Sequence, residues 1–177
     1  SVLESVGIEL DAKITDLENS IYEKAGQSFN IKSPKQLGVV LFEDMGIPYP
    51  GRSKKKTGYS TSVDVLEKLR DEQPIVNDIL EYRKATKLKS TYIEGLVALI
   101  ADDGKIHPHF NQTVAATGRI SCTEPNLQNI PIRDEYGRYI RKAFVTSDDN
   151  HTFIGADYSQ IELRILAALS GDESLIN

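Results

Sequence analysis

Apolar positions recur at helical spacing through the first hundred residues and afterwards come in short runs broken by turn-forming residues. Leu17, Ile21 and Tyr22 share one helical face and Gly26 offers a C-terminal stop, which predicts an opening helix. Ser33 suits an N-cap and Pro34 the first position of a second, short helix. Its stripe is Leu37, Val40 and Leu41, and its end lies near Gly46, ahead of Pro48 and Pro50. Residues Gly51 to Tyr59 (GRSKKKTGY) are polar, basic and without period, which predicts an exposed, mobile loop closed by Ser60-Thr61-Ser62. A short helix is predicted from about Val63 to Leu69. Pro74 opens the longest element, predicted to reach roughly Ile100 and so to span about 40 Å at 1.5 Å per residue.

Asp102-Asp103-Gly104 is a turn signature, and the pattern changes there. Ile106, Phe110, Ala143-Phe144-Val145 and Thr152-Phe153-Ile154 read as short strands separated by turns. The last element, Gln160 to Leu169, carries Ile161, Ile165 and Leu169 on one helical face and stops at Ser170-Gly171. Helices followed by a sheet define an α+β fold, and no internal repeat is visible.

Composition narrows the function classes. The 177 residues are 40% apolar and 27% charged, as expected of a soluble globular protein of one domain or two small subdomains. No apolar run approaches the ~18 residues of a membrane span, and Ser1 to Leu10 lack the features of a signal peptide, so a cytoplasmic location is expected. Cys122 is the only cysteine, which excludes an intramolecular disulfide, and neither it nor the three histidines have zinc-site spacing. The net charge of -5 argues at first sight against a nucleic-acid binder. Its distribution does not: Gly51 to Gly95 hold 10 Lys and Arg against 7 Asp and Glu, while acid is in excess on either side.

Three constellations carry candidate chemistry. On the long helix Arg83, Lys84 and Lys87 fall within about a 100° sector, away from Ile75, Ile79, Tyr82, Ile93 and Leu96. With Lys54, Lys55 and Lys56 this face can neutralise backbone phosphates, although a solvated helix face is the plainer reading of a charge stripe by itself. The second is Thr117-Gly118-Arg119-Ile120-Ser121 followed by Pro125-Asn126-Leu127-Gln128-Asn129-Ile130-Pro131. Arg119 can donate to minor-groove acceptors or phosphate, and Asn126, Gln128 and Asn129 can pair with base edges, sugars or backbone. A turn-rich loop satisfying its own backbone is an equal alternative. The third is Phe153 to Leu169, where an acid at a strand end, Asp157, is placed to take a hard cation such as Mg²⁺. Asp157 followed three residues later by Gln160 also fits a helix capping box, which taken alone is the simpler reading.

Asp157-Tyr158-Ser159-Gln160-Ile161-Glu162-Leu163-Arg164 resembles the first palm motif of the family A DNA polymerases. Thr117-Gly118-Arg119, Pro125 to Pro131, Ile140-Arg141 with Ala143-Phe144, Ser60-Thr61-Ser62 and Lys87 to Ile93 resemble further segments of that family, in its order, so the likeness covers nearly the whole chain. It implies a helical thumb from Ser1 to about Gly95, then from about Leu96 to Asn177 the first part of the palm, with a partial antiparallel sheet and helix. It also implies a monomeric, nucleoid-associated DNA-directed DNA polymerase with primer-template DNA and a dNTP as partners, two Mg²⁺ ions as cofactors, and roles in replication and repair. Lys54, Lys55, Lys56, Arg83, Lys87, Arg119, Asn126, Gln128 and Asn129 would contact DNA. Asp157 and the carbonyl of Tyr158 would hold metal, with Asp157 catalytic, and Gln160 and Glu162 would meet the nucleotide, Glu162 excluding a 2′ hydroxyl.

The chain stops at Asn177, before the family's fingers and second palm carboxylate, so these residues alone are expected to be inactive. Its first helix is also several turns shorter between Leu10 and Ile14 than the family's, as a deletion or missing residues would make it. A non-catalytic module that binds duplex DNA is the competing reading. A single-subunit RNA polymerase is disfavoured by Glu162, because that enzyme must accept the 2′ hydroxyl.

Overall fold

Residues 2–51, 58–132 and 135–176 are described in the computed structural model of the chain, which divides into two compact units, Ser1–Phe144 and Val145–Asn177. In the first unit, helix α1 (Val2–Ala25) runs unbroken through Leu10 to Ile14 and ends at Gly26, whose φ of +68° is open to a residue without a Cβ. Helix α2 (Pro34–Val39) starts as predicted: Ser33 Oγ accepts from the Gln36 N–H at 3.4 Å and Pro34 fills the first turn. A π-helical turn, Val40–Asp44, continues it to a stop at Gly46. Helix α3 (Val63–Leu66) tightens into a 3-10 turn, Glu67–Leu69.

The predicted long helix is three consecutive helical segments: α4 (Pro74–Leu88), a π-helical turn (Lys89–Glu94) and α5 (Gly95–Val97). Helix α1 lies along α4 and the π-helical turn after it. One end of the pair closes a core around Ile21, Leu37, Leu41, Leu66 and Ile79; the other closes a core of Leu3, Val6, Leu10, Leu88 and Ile140. Ile14 of α1 packs against both. Each such side chain removed from water contributes about 1.5–3 kcal/mol. Polar ties fix the register of the pair. Tyr82, 2% exposed, donates its hydroxyl to Glu18 at 2.9 Å, and burial together with that carboxylate raises the phenol's pKa far above its ordinary value. Ser20 donates to Asp78 at 2.7 Å, and Lys24 pairs with the same carboxylate.

Two strands follow, β1 (His109–Asn111) and β2 (Ser121–Thr123), paired antiparallel with Phe110 opposite Cys122. A 3-10 turn (Leu127–Asn129) leads to helix α6 (Glu135–Lys142). Helix α6 holds the chain ahead of it by close approach. A Cβ on Gly137 would lie 2.5 Å from the Pro131 carbonyl oxygen, and Arg141 donates to the carbonyls of Ile130 at 3.0 Å and Pro131 at 3.3 Å.

The second unit holds a stretch without regular structure, residues 151–158, then α7 (Ile161–Ser170), Gly171 at φ +66°, and α8 (Glu173–Ile176). Two sequence expectations are corrected here. Residues 143–145 and 152–154 form no strand: Ala143 is a turn ending α6, and a strand exists only where a neighbour pairs its N–H and C=O groups, which among the described residues none does for 152–154. The capping box at Asp157 is absent as well. Gln160 itself is the N-cap of α7, in the left-handed region at φ +53°, with no side-chain cap.

Replacing Gly137 with Ala forces the new methyl into the Pro131 carbonyl and is expected to cost about 1–3 kcal/mol as an overpacked contact. Urea unfolding followed by circular dichroism checks this, and an unchanged midpoint would show that the segment ahead of α6 gives way freely.

Candidate nucleic-acid interface

The cationic stripe of α4 separates into three surroundings. Lys84 is exposed and lines a small recess with Lys13, Glu81 and Tyr136. Arg83 turns inward, half-buried, and its guanidinium donates to both the carbonyl and the hydroxyl of Thr61. Burial lowers its pKa from the ordinary value without a carboxylate to offset it. Lys87 is exposed and faces the 125–130 segment across a groove of about 430 Å³, lined also by Thr91, Tyr92, Leu96, Pro125, Asn126, Asn129 and Ile130. Lys54, Lys55 and Lys56 lie outside the described residues.

The far wall of the groove is built by local polar chemistry. Asn126 Oδ1 accepts from the Gln128 N–H at 3.0 Å, which caps the 3-10 turn. Gln128 reaches back from that turn and donates Nε2 to the Ile120 carbonyl at 2.9 Å, tying it to β2's approach. The peptide between Glu124 and Pro125 is cis, and Glu124 has a φ of +53°. Tyr92, almost fully buried in the π-helical turn, donates its hydroxyl to the Asn129 carbonyl and so joins the two walls directly. Asn126, Gln128 and Asn129 are all exposed. Arg119 is exposed too, in the β1–β2 connection just after Gly118, whose φ of +75° closes a turn onto Ala115.

Lys87, Asn126 and Asn129 are thus brought to one groove, and Gln128 is tied to Ile120, the residue after Arg119. Sequence reasoning passed over Thr91 and Tyr92 as groove residues, although both stand in a segment it singled out, and over Gly137 and Arg141 as supports. Along the α1–α4 seam Lys13 is engaged by Glu81, Lys24 by Asp78, and Lys89 by Asp11 and Glu94, which raise its pKa. Positive potential is therefore withdrawn from these positions while Lys87 stays exposed at the groove.

In the second unit Asp157 and Tyr158 lie exposed on the irregular stretch ahead of α7, and Glu162 occupies the first turn of α7. Arg164 donates from Nε to the Ser159 carbonyl at 3.0 Å, a tie to the backbone ahead of α7. The Asp157 carboxylate and the Tyr158 carbonyl are hard oxygen donors open to solvent, which suits Mg²⁺, an ion that takes one or two carboxylates and fills its other positions with water and phosphate. Among the described residues no cluster of three or more His, Cys, Asp or Glu side chains is gathered, so this donor set is partial. Among them, too, no helix is long and apolar enough to cross a membrane.

Comparison with known proteins gives concordant results. The family model for DNA polymerase family A matches residues 1–177. DNA polymerase I of Bacillus subtilis is 58% identical over 175 residues, covering 98% of this chain and 20% of that protein. DNA polymerase I of Lactococcus lactis is 55% identical over 177 residues, covering 100% and 20%. The thermostable DNA polymerase I of Thermus thermophilus is 49% identical over 175 residues, covering 98% and 21%. The chain spans about a fifth of the length of these curated relatives. Among solved structures, the POL domain of Pol1 from M. smegmatis in complex with DNA primer-template and dNTP superposes with a TM-score of 0.82 at 46% identity, over 97% of this chain and 30% of that one. A family model matched from the first residue to the last, on a fold shared with a polymerase domain, establishes that the chain belongs to DNA polymerase family A.

Proposed function

We propose that these residues serve a DNA-directed DNA polymerase, holding primer-template duplex in the first unit and presenting the first acidic motif of its active site in the second. The observation that carries the reading is the groove in which Lys87 on one wall faces Asn126 and Asn129 on the other. A cation and neutral amides suit a duplex that must be held whatever its sequence. The cation meets phosphate, and the amides meet sugars and the minor-groove acceptors that A·T and G·C pairs share. The solved relative bound to primer-template and dNTP supports both partners. In this reading residues 1 to about 95 are the thumb and about 96 to 177 the first part of the palm.

Asp157 and the Tyr158 carbonyl would hold Mg²⁺ together with nucleotide phosphates. When bound, the metal supplies charge stabilisation for nucleotidyl transfer from a dNTP to the primer 3′ hydroxyl. The chain's own part is to offer those oxygens on exposed backbone, with Gln160 and Glu162 beside the nucleotide. Glu162 discriminates by bulk and by its own hydrogen bonding, since a 2′ hydroxyl would both crowd it and disturb its partners.

Fluorescence anisotropy with a labelled primer-template at several salt concentrations tests the groove. Affinity should fall as salt rises, and Lys87→Ala should lower the slope of log K against log salt by about one phosphate contact. Binding indifferent to salt would sink the reading. In the longer polymerase carrying these residues, Asp157→Ala should abolish primer extension while leaving duplex affinity within about threefold, a loss confined to the chemical step. Unimpaired extension would remove Asp157 from the chemistry. Glu162→Ala in the same protein should raise ribonucleotide incorporation at least about tenfold, the discrimination expected of a steric and polar gate, and an unchanged preference would assign the gate elsewhere.

A further inference from the structure

Arg83 differs from the other cations of α4 in what surrounds it. Thr61 is 5% exposed, with a buried hydroxyl and a carbonyl that both need donors, and Arg83 supplies them: Nη2 donates to Thr61 Oγ1 at 3.1 Å and Nη1 to the Thr61 carbonyl. The other side of the same stretch is packed. A Cβ on Gly38 of α2 would come 3.1 Å from Tyr59 Cβ and 3.7 Å from the Thr61 methyl. The Tyr59 ring sits 5.0 Å from Phe42 and 5.1 Å from Tyr49, and the Ser60 N–H reaches the Tyr49 hydroxyl at 3.3 Å. Residues 59–61 are therefore held between Gly38 of α2 with the Phe42 and Tyr49 rings on one side and one guanidinium on α4 on the other.

What this fixes is a small hydroxyl-bearing turn. Ser60 and Ser62 pair through their hydroxyls at 3.3 Å, the Ser62 N–H donates to Ser60 Oγ at 3.4 Å, and Ser62 is exposed. Hydroxyls and main-chain N–H groups are common phosphate ligands. Arg83 and Lys87 are four residues apart on α4, about 6 Å along its axis and nearly on one face. The residue that pins the turn thus stands about one helical turn from the cation of the groove.

Resting on the proposed DNA-holding role, we infer that Arg83 is a positioning residue for the duplex grip: it acts by pinning Thr61, so that the Ser60-Thr61-Ser62 turn meets the backbone, and it contacts no phosphate itself. A lysine would be a poor substitute, because one ammonium lacks the planar fork that serves two acceptors on the same residue.

Two measurements on the chain decide this. Hydrogen exchange followed by NMR, without DNA, should show faster exchange at Thr61 and Ser62 in Arg83→Ala. Anisotropy with the labelled primer-template, at a temperature where the variants are fully folded, should show affinity falling by about three- to tenfold, as for one lost hydrogen bond, with the salt slope unchanged. Arg83→Lys should recover part of the affinity. Thr61→Val, a milder change that keeps the side-chain shape, should weaken binding in the same direction and be non-additive with Arg83→Ala. A slope lowered by about one would make Arg83 a phosphate ligand and overturn the inference, as would unchanged exchange at Thr61 or unchanged affinity. Failure of the unsubstituted chain to bind duplex would instead sink the DNA-holding role, while the exchange data would still decide whether Arg83 pins the turn.

Discussion

The contact of α1 with α4 is the constraint on which the first unit rests. Neither helix can bury its apolar stripe alone, and each separates two cores that would otherwise have no common wall: Ile21 and Ile79 close one, Leu10 and Leu88 the other. Ile14, reaching both, makes the two cores continuous along α1. The buried Tyr82 hydroxyl and the Ser20–Asp78–Lys24 group are placed where a slip by one turn would leave polar atoms without partners. A fixed register between the helices in turn fixes where α4 presents Arg83 and Lys87.

Charge is arranged on the same frame. An acidic chain keeps a cationic surface only where its acids are held away from it, and here several are occupied by lysines of the neighbouring helix. These exposed pairs add little stability. Their consequence is spatial, since they neutralise acid along the α1–α4 seam while Lys87 is presented at the groove.

Much of the helical architecture was legible because its signals are local. Ser33-Pro34, Gly26, Gly46 and Gly171 each start or stop an element through chemistry within a few residues, and the structure uses all four in that way. The sheet was read less well. A strand exists only by its partner, so apolar Thr152-Phe153-Ile154 looked like one and is not, whereas polar Ser121–Thr123 pairs with β1 from twelve residues away. The site shows the same division. Spacing placed Lys87 on an exposed face, and the motif marked Asn126 and Asn129, yet nothing in the pattern said that they share a groove. Arg83 shows the same limit: helical phase assigns a side chain to a face but does not reveal that Thr61, 22 residues earlier, returns to accept from it.

The π-helical turn at Lys89–Glu94 gives the groove a mechanical character of its own. Widened turns of this kind are where long helices bend most easily, and Thr91 and Tyr92 line the groove from within it. Helix α4 ahead of the turn carries the cation, while the π-helical turn carries the tyrosine that donates to Asn129. Because Tyr92 and Ile93 of this turn are also buried in the core around Leu10 and Leu88, the width of the groove is tied to the packing of that core, and whatever shifts this turn of helix moves both at once.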